Sequence, residues 1–176
     1  IACGPQDSDS EFPKAVLRLA ELAGWPILAE PTSQVRSGTH LALAEEVGSG
    51  ACPVLAHSDL IFRSPNFAAR HDPEVVLRFG VTPVCKSFRL WTEAHPPRDY
   101  VLVDETNSWN EPSHLISERI VAEPASLCRA LVAALEEADV RPRKSSWLAS
   151  FVEAESVARG VLETRVDREA ALLEPR

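Results

Sequence analysis

Apolar residues fall along this chain in two different rhythms. Short runs bounded by turn residues, "IACG", "WPILAE", "PEVVLRFG" and "DYVLVDE", have the length and composition of buried strands, and "HLISERIVAE" holds one more. Between them the spacing is helical. In "PQDSDSEFPKAVLRLAELAG", Val16, Leu17, Leu19, Ala20, Leu22 and Ala23 form one broad face. Ser8 or Ser10 is expected to cap the start of that helix, and Gly24 stands where a left-handed C-cap belongs. "LALAEEVGSGACPVLAHSDLIFRSPNFAARHD" reads as helical pieces broken by Gly and Pro. "PVCKSFRLWTEAHP" and "EPASLCRALVAALEEAD" read as two further helices, and "RPRKSS" as a solvated linker. A last long helix, 145–170, starts near Ser145 and runs towards Glu169, with Trp147, Leu148, Phe151, Val152, Val161, Leu162 and Val166 as its apolar side.

A strand, a crossover helix and a second strand make a parallel pair with a right-handed connection. Repeated along the chain, this predicts an α/β, Rossmann-like, doubly wound and mostly parallel sheet. It would have about five or six strands and helices on both faces. Such sheets bind ligands outside the carboxyl ends of their strands. Three loops are placed there: Thr32–His40, Val81–Lys86 and Glu105–His114.

At 176 residues the chain suits a single domain, 1–176, with a sizeable core. A formal charge of −8 with no Lys/Arg cluster argues against binding nucleic acid. Neither an apolar run of membrane-spanning length nor a signal-peptide pattern occurs, so no membrane insertion is expected. Cys3, Cys52, Cys85 and Cys128 are too scattered for a zinc site or a disulfide framework, and read as small buried hydrophobes in a reducing cytoplasm. The chain opens on "IACG", a strand already under way, and contains no methionine; both features suggest a domain excised from a larger protein.

The first strand-to-helix turn, "CGPQDSDS", has one glycine and an acidic run where a dinucleotide site needs donors and glycines. A P-loop, a G-x-S-x-G elbow and an H-E-x-x-H helix do not occur. Lys86, with Thr82, lies at a strand-to-helix corner of the ligand-binding edge. Helix-start donors and an ammonium there would hold a carboxylate or phosphate; the commoner fate of such a lysine is simple solvation. Ser33, Gln34 and Arg36 could form a polar contact surface, or simply belong to a turn ending at Gly38. His57 and Asp59 are two apart and do not suggest a dyad, and Asp104 and Glu105 lack a partner for paired-carboxylate chemistry. Trp109 and His114 read as loop anchors.

Taken in order, "GWPILAEPTSQVRSG", "VLAHSDLIFRSPNFAARHDPEVVLRFGVTPVCKSFRLW", "VLVDETNSWNEPSH" and "SWLASFVEAE" resemble the central domain of the 2-succinyl-5-enolpyruvyl-6-hydroxy-3-cyclohexene-1-carboxylate (SEPHCHC) synthases. These belong to the thiamine-diphosphate superfamily and act in menaquinone biosynthesis. The resemblance implies a three-domain, cytoplasmic transferase that decarboxylates 2-oxoglutarate and adds the product to isochorismate. It implies thiamine diphosphate and Mg²⁺ in the full-length enzyme, held by the other domains of the same chain and by a homo-oligomer, a dimer or tetramer. The G-D-G…N diphosphate motif is absent here, so no cofactor and no catalysis are expected of this domain alone. The resemblance carries Lys86 over as a substrate-binding residue facing the acidic acceptor, and places Ser33 and Gln34, as further substrate-binding residues, in a loop near the interdomain cleft. Ser87 stands where some members carry an arginine. The terminal helix would lead towards the next domain. Two other readings follow from the residues: a non-catalytic subunit-packing domain, or a free-standing Rossmann-like nucleotide-binding module.

Overall fold

The computed structural model describes residues 1–42, 52–106, 111–140 and 145–165. Six strands form one sheet: β1 (Ala2–Cys3), β2 (Ile27–Ala29), β3 (Val54–Leu55), β4 (Val75–Phe79), β5 (Asp99–Val103) and β6 (Glu118–Ile120). Their order is β3-β2-β1-β4-β5-β6 and every pairing is parallel, the doubly wound arrangement with its switch point between β1 and β4. The helices include α1 (Phe12–Ala23), α2 (Ser58–Phe62), α3 (Pro65–Ala68), α4 (Lys86–Ala94), α5 (Pro124–Glu137) and α6 (Ser146–Arg165).

Alternation along the strands builds two cores. Cys3, Ile27, Ala29, Leu77, Phe79 and Val103 face one side and meet Phe12, Val16 and Leu19 of α1 and Ala125 and Cys128 of α5. Ala2, Leu28, Val76 and Tyr100 face the other, against Phe62 of α2, Phe88 and Trp91 of α4 and Phe151 of α6. A strand buried on both faces reads as a continuous apolar run because both of its side-chain rows lie in a core. Each fully buried aromatic or aliphatic side chain contributes on the order of 1.5–3 kcal/mol.

Several expectations are corrected. The "ACPVLAHSD" stretch contains β3, a two-residue strand paired through Ile27 and Leu28, where only helical pieces were expected. Neither Ser8 nor Ser10 caps α1; the Asp9 carboxylate accepts from the Glu11 N–H at 2.9 Å instead, while Gly24 does take the left-handed cap at φ 70°. The fourth helix begins at Lys86, not at Pro83, because Cys85 is extended and caps it. Cys3 and Cys128 are buried, but Cys52 and Cys85 are only half-buried. On α6 the buried positions are Phe151, Glu155 and Ala158, whereas Val161, assigned to the apolar side, is exposed. Trp109, 141–144 of the linker and Val166 with the remainder of the terminal helix lie outside the described residues.

Candidate functional site

The site is built where the carboxyl ends of β1, β2 and β4 meet. At the switch point two loops close on each other. Gly4 N–H donates to Phe79 O at 3.0 Å and Val81 N–H donates to Pro5 O at 2.9 Å. A Cβ on Gly4 would stand 1.8 Å from Val81 O, and one on Gly80, at φ 75°, would stand 2.7 Å from Pro5 O. Only glycine permits this approach. Backbone therefore fills the crevice that doubly wound folds usually leave for a ligand, and the loop from β1 to α1 carries the exposed Asp7, Asp9 and Glu11. The Gly4 and Val81 N–H groups are both spent on backbone carbonyls, so neither is free to hold a phosphate. Among the described residues there is also no group of three or more His, Cys, Asp or Glu able to hold a metal ion.

One step outward, the start of α4 is held by carboxylates. Glu30 follows β2 and is buried; its Oε1 accepts the Cys85 N–H at 3.0 Å. Cys85 caps the helix, its Sγ accepting from the Phe88 N–H at 3.4 Å and lying 3.3 Å from Asp59 Oδ1. Ser87 Oγ donates to the same Asp59 oxygen at 2.8 Å, with Asp59 O at 3.1 Å. The Ser87 hydroxyl bond, with help from Cys85 and Arg63, holds the Asp59 carboxyl below its ordinary range despite partial burial. Burial pushes the Cys85 thiol up, so it is a neutral capping group and not a thiolate. The expectation that the free helix N-terminus would itself receive a ligand anion changes accordingly, since Glu30 already occupies the first donor.

Between these two anchored residues stands Lys86, the first residue of α4, exposed and without an ion-pair partner among the described residues. Ser33 is fully buried. Its Oγ donates to Glu30 O at 2.7 Å and accepts from the Val35 N–H at 3.2 Å, which knots the turn after β2. Gln34 is exposed at φ 65°, a left-handed conformation uncommon outside glycine, with Ser8 Oγ donating to its Oε1 at 3.4 Å. Gln6 ties the first loop to this turn through its Nε2 and Ser33 O, 3.2 Å. The loops carrying Ser33, Gln34 and Lys86 are thus laced together through Glu30.

His57 and Asp59 turn apart: His57 Nδ1 lies 2.7 Å from Glu155 Oε1 on α6, while Asp59 serves α4. Asp104 accepts from the Thr106 N–H and hydroxyl at 2.7 Å each and so closes its own turn. Residues that sequence reasoning passed over are Glu30, Asp59 as a tether, and the pair of Arg78 and Glu111. Arg78 is fully buried in β4 and donates to Glu111 Oε2 at 2.7 Å and to Thr82 Oγ1 at 3.0 Å. A charged residue inside "VVLRF" is the signal that would have found it, because a buried guanidinium demands a partner.

A family model described as the middle domain of thiamine pyrophosphate matches residues 6–174. The chain is 36% identical over 169 residues to the SEPHCHC synthase of Geobacillus kaustophilus, covering 96% of this chain and 27% of that protein. It is 31% identical over 175 residues to the SEPHCHC synthase of Chloroflexus aurantiacus, covering 99% and 28%, and 32% identical over 166 residues to that of Sorangium cellulosum, covering 91% and 25%. The chain spans about a quarter of the length of the curated relatives it matches.

Proposed function

The chain belongs to the family of thiamine pyrophosphate enzyme middle domains, and from that membership we propose that it is the central domain of a SEPHCHC synthase. The parent enzyme would be a cytoplasmic transferase that joins decarboxylated 2-oxoglutarate to isochorismate. Thiamine diphosphate and Mg²⁺ would be held by the parent's other domains and by its homo-oligomer, a dimer or tetramer. The closed crevice at Gly4 and Gly80 supports that division of labour, because backbone fills the place a diphosphate would take at this switch point. Among the described residues no helix is long and apolar enough to cross a membrane.

The observation that carries the reading is Lys86: an exposed ammonium at the ligand-binding edge, on a helix start where Glu30 takes the Cys85 N–H and Asp59 takes the Ser87 hydroxyl. A cation so presented, with no ion-pair partner among the described residues, is complementary to an acidic acceptor such as isochorismate, which carries two carboxylates. Gln34 presents an amide from the neighbouring loop, and Ser33 shapes the turn that carries it. The domain's part in the reaction is to bind and orient the acceptor while neighbouring domains exclude water from the cleft.

Replacing Lys86 with Ala in the full-length enzyme is expected to raise KM for isochorismate about tenfold or more, the worth of one charge-assisted bond in a closed cleft. KM for 2-oxoglutarate and cofactor affinity should stay within about twofold. Unaltered acceptor kinetics would remove Lys86 from the site.

A further inference from the structure

Lys86 is flanked by two residues that answer to one carboxylate. Asp59 Oδ1 takes the Ser87 hydroxyl at 2.8 Å and faces Cys85 Sγ at 3.3 Å, so positions 85 and 87 are both tethered to α2. On the same α2, Asp59 Oδ2 also accepts from Arg63 Nε at 3.0 Å, one helical turn on. The start of α2 is pinned in turn: the His57 N–H donates to Glu155 Oε2 at 3.0 Å, and its ring Nδ1 lies 2.7 Å from Oε1. Glu155 is buried on α6. Asp59 therefore rides on a short element fixed at its origin, and the helix end bearing Lys86 is fixed to Asp59.

A lysine side chain has many rotamers and loses up to about 2 kcal/mol of entropy when ordered. An ammonium projecting from a mobile helix start would lose that freedom and the backbone's freedom together on meeting a ligand. Tethering the backbone on both sides of Lys86 removes the second cost before the ligand arrives. The tether also directs Ser87 inward to Asp59, which leaves Lys86 as the residue of the Cys85–Lys86–Ser87 trio that is exposed.

We propose that Asp59 is a positioning residue for Lys86: its carboxylate, reached through Ser87 and Cys85, holds the first turn of α4 so that the ammonium meets the acidic acceptor pre-oriented. The proposal rests on the reading of Lys86 as an acceptor-binding cation. Asp59 touches neither substrate nor cofactor and acts only through its neighbour.

The test uses the full-length enzyme with Asp59→Ala, Asp59→Asn, Lys86→Ala and the double variant Asp59→Ala/Lys86→Ala. Asp59→Ala should raise the isochorismate KM about tenfold and leave kcat and the 2-oxoglutarate KM within about twofold. Asp59→Asn keeps a carbonyl oxygen for the Ser87 hydroxyl and should recover most of the loss. In the Lys86→Ala background, Asp59→Ala should add nothing, because residues acting through one another are not additive. Additive losses in the double variant would overturn the proposal, since they would mean Asp59 acts elsewhere. Amide hydrogen exchange over 86–89 is read in parallel: Asp59→Ala should exchange about tenfold faster there than the parent enzyme. If Lys86→Ala leaves the acceptor KM unchanged, the substrate role of Lys86 is what fails. Exchange then decides the tether by itself, faster exchange in Asp59→Ala supporting it and unchanged exchange overturning it.

Discussion

Arg78 places a guanidinium in a strand paired on both sides, with Ala2 across one ladder and Leu102 across the other. Water cannot reach it there, so Glu111, 33 residues on, supplies the counter-charge at 2.7 Å, and Ser113 donates its N–H to the second Glu111 oxygen at 2.6 Å. The ring of Tyr100 lies 5.8 Å beneath the guanidinium carbon, and burial pushes its phenol up to about 12. Through this pair the loop after β5 is fastened to β4 next to Thr82, at the edge where Lys86 stands. Replacing Glu111 with Ala removes the carboxylate 2.7 Å from a buried guanidinium, and urea unfolding should show a loss of about 3–5 kcal/mol. The double change Arg78→Met/Glu111→Leu should recover most of it, because removing both charges also removes both desolvation costs. A double variant as unstable as the single one would mean that the loss comes from packing and not from the broken ion pair.

At the scale of elements, α5 shows how a cap sets a pH dependence. Glu123 accepts the N–H groups of Ala125 and Ser126 at 2.6 Å each, ahead of Pro124 at the first helical position. Partial burial pushes its carboxyl up, but the Ser126 bonds and the Ala125 amide outweigh it and hold it below the ordinary glutamate range. A group whose folded pKa lies below its unfolded one stabilises above the unfolded value and loses that contribution as pH falls through the folded value. Glu123→Ala should therefore cost about 1 kcal/mol at neutral pH. The gap from the parent domain should narrow in denaturant titrations as pH drops below about 4. Elements of this length were legible in the sequence because they span enough positions for a period to show: β4, β5, α1 and α5 all fall where the apolar spacing placed them. Two-residue β3 was not, since Val54 and Leu55 carry no period and their strand character comes wholly from pairing with Ile27 and Leu28. Lys86 was legible as the residue after a strand, whereas the tether between Asp59 and Ser87, 28 residues apart, is a product of tertiary contact that no local pattern encodes.

For the molecule as a whole, the carboxyl edge is closed at its centre and Lys86 stands exposed at its margin, so what the domain contributes depends on how firmly that margin is held. α6 is part of that hold. Phe151 is fully buried, with ring centroids 5.1 Å from Phe67, 6.2 Å from Phe62 and 5.1 Å from Trp147, and Glu155 pins His57 one turn later. His71 adds a bond to Ser150 Oγ at 2.8 Å. The terminal helix is therefore a wall of the second core, and a subunit-packing role for Phe151 would require first unpacking that core. Phe151→Ala should lower the domain's unfolding free energy by about 3–5 kcal/mol, the cost of emptying an aromatic site. Val157, on the same helix but 62% exposed, should tolerate Ser within about 0.5 kcal/mol. Urea unfolding of both variants separates the two faces of one helix: a Phe151→Ala loss no larger than that of Val157→Ser would mean that α6 is a spacer and that α2, with Asp59 upon it, is anchored by something else.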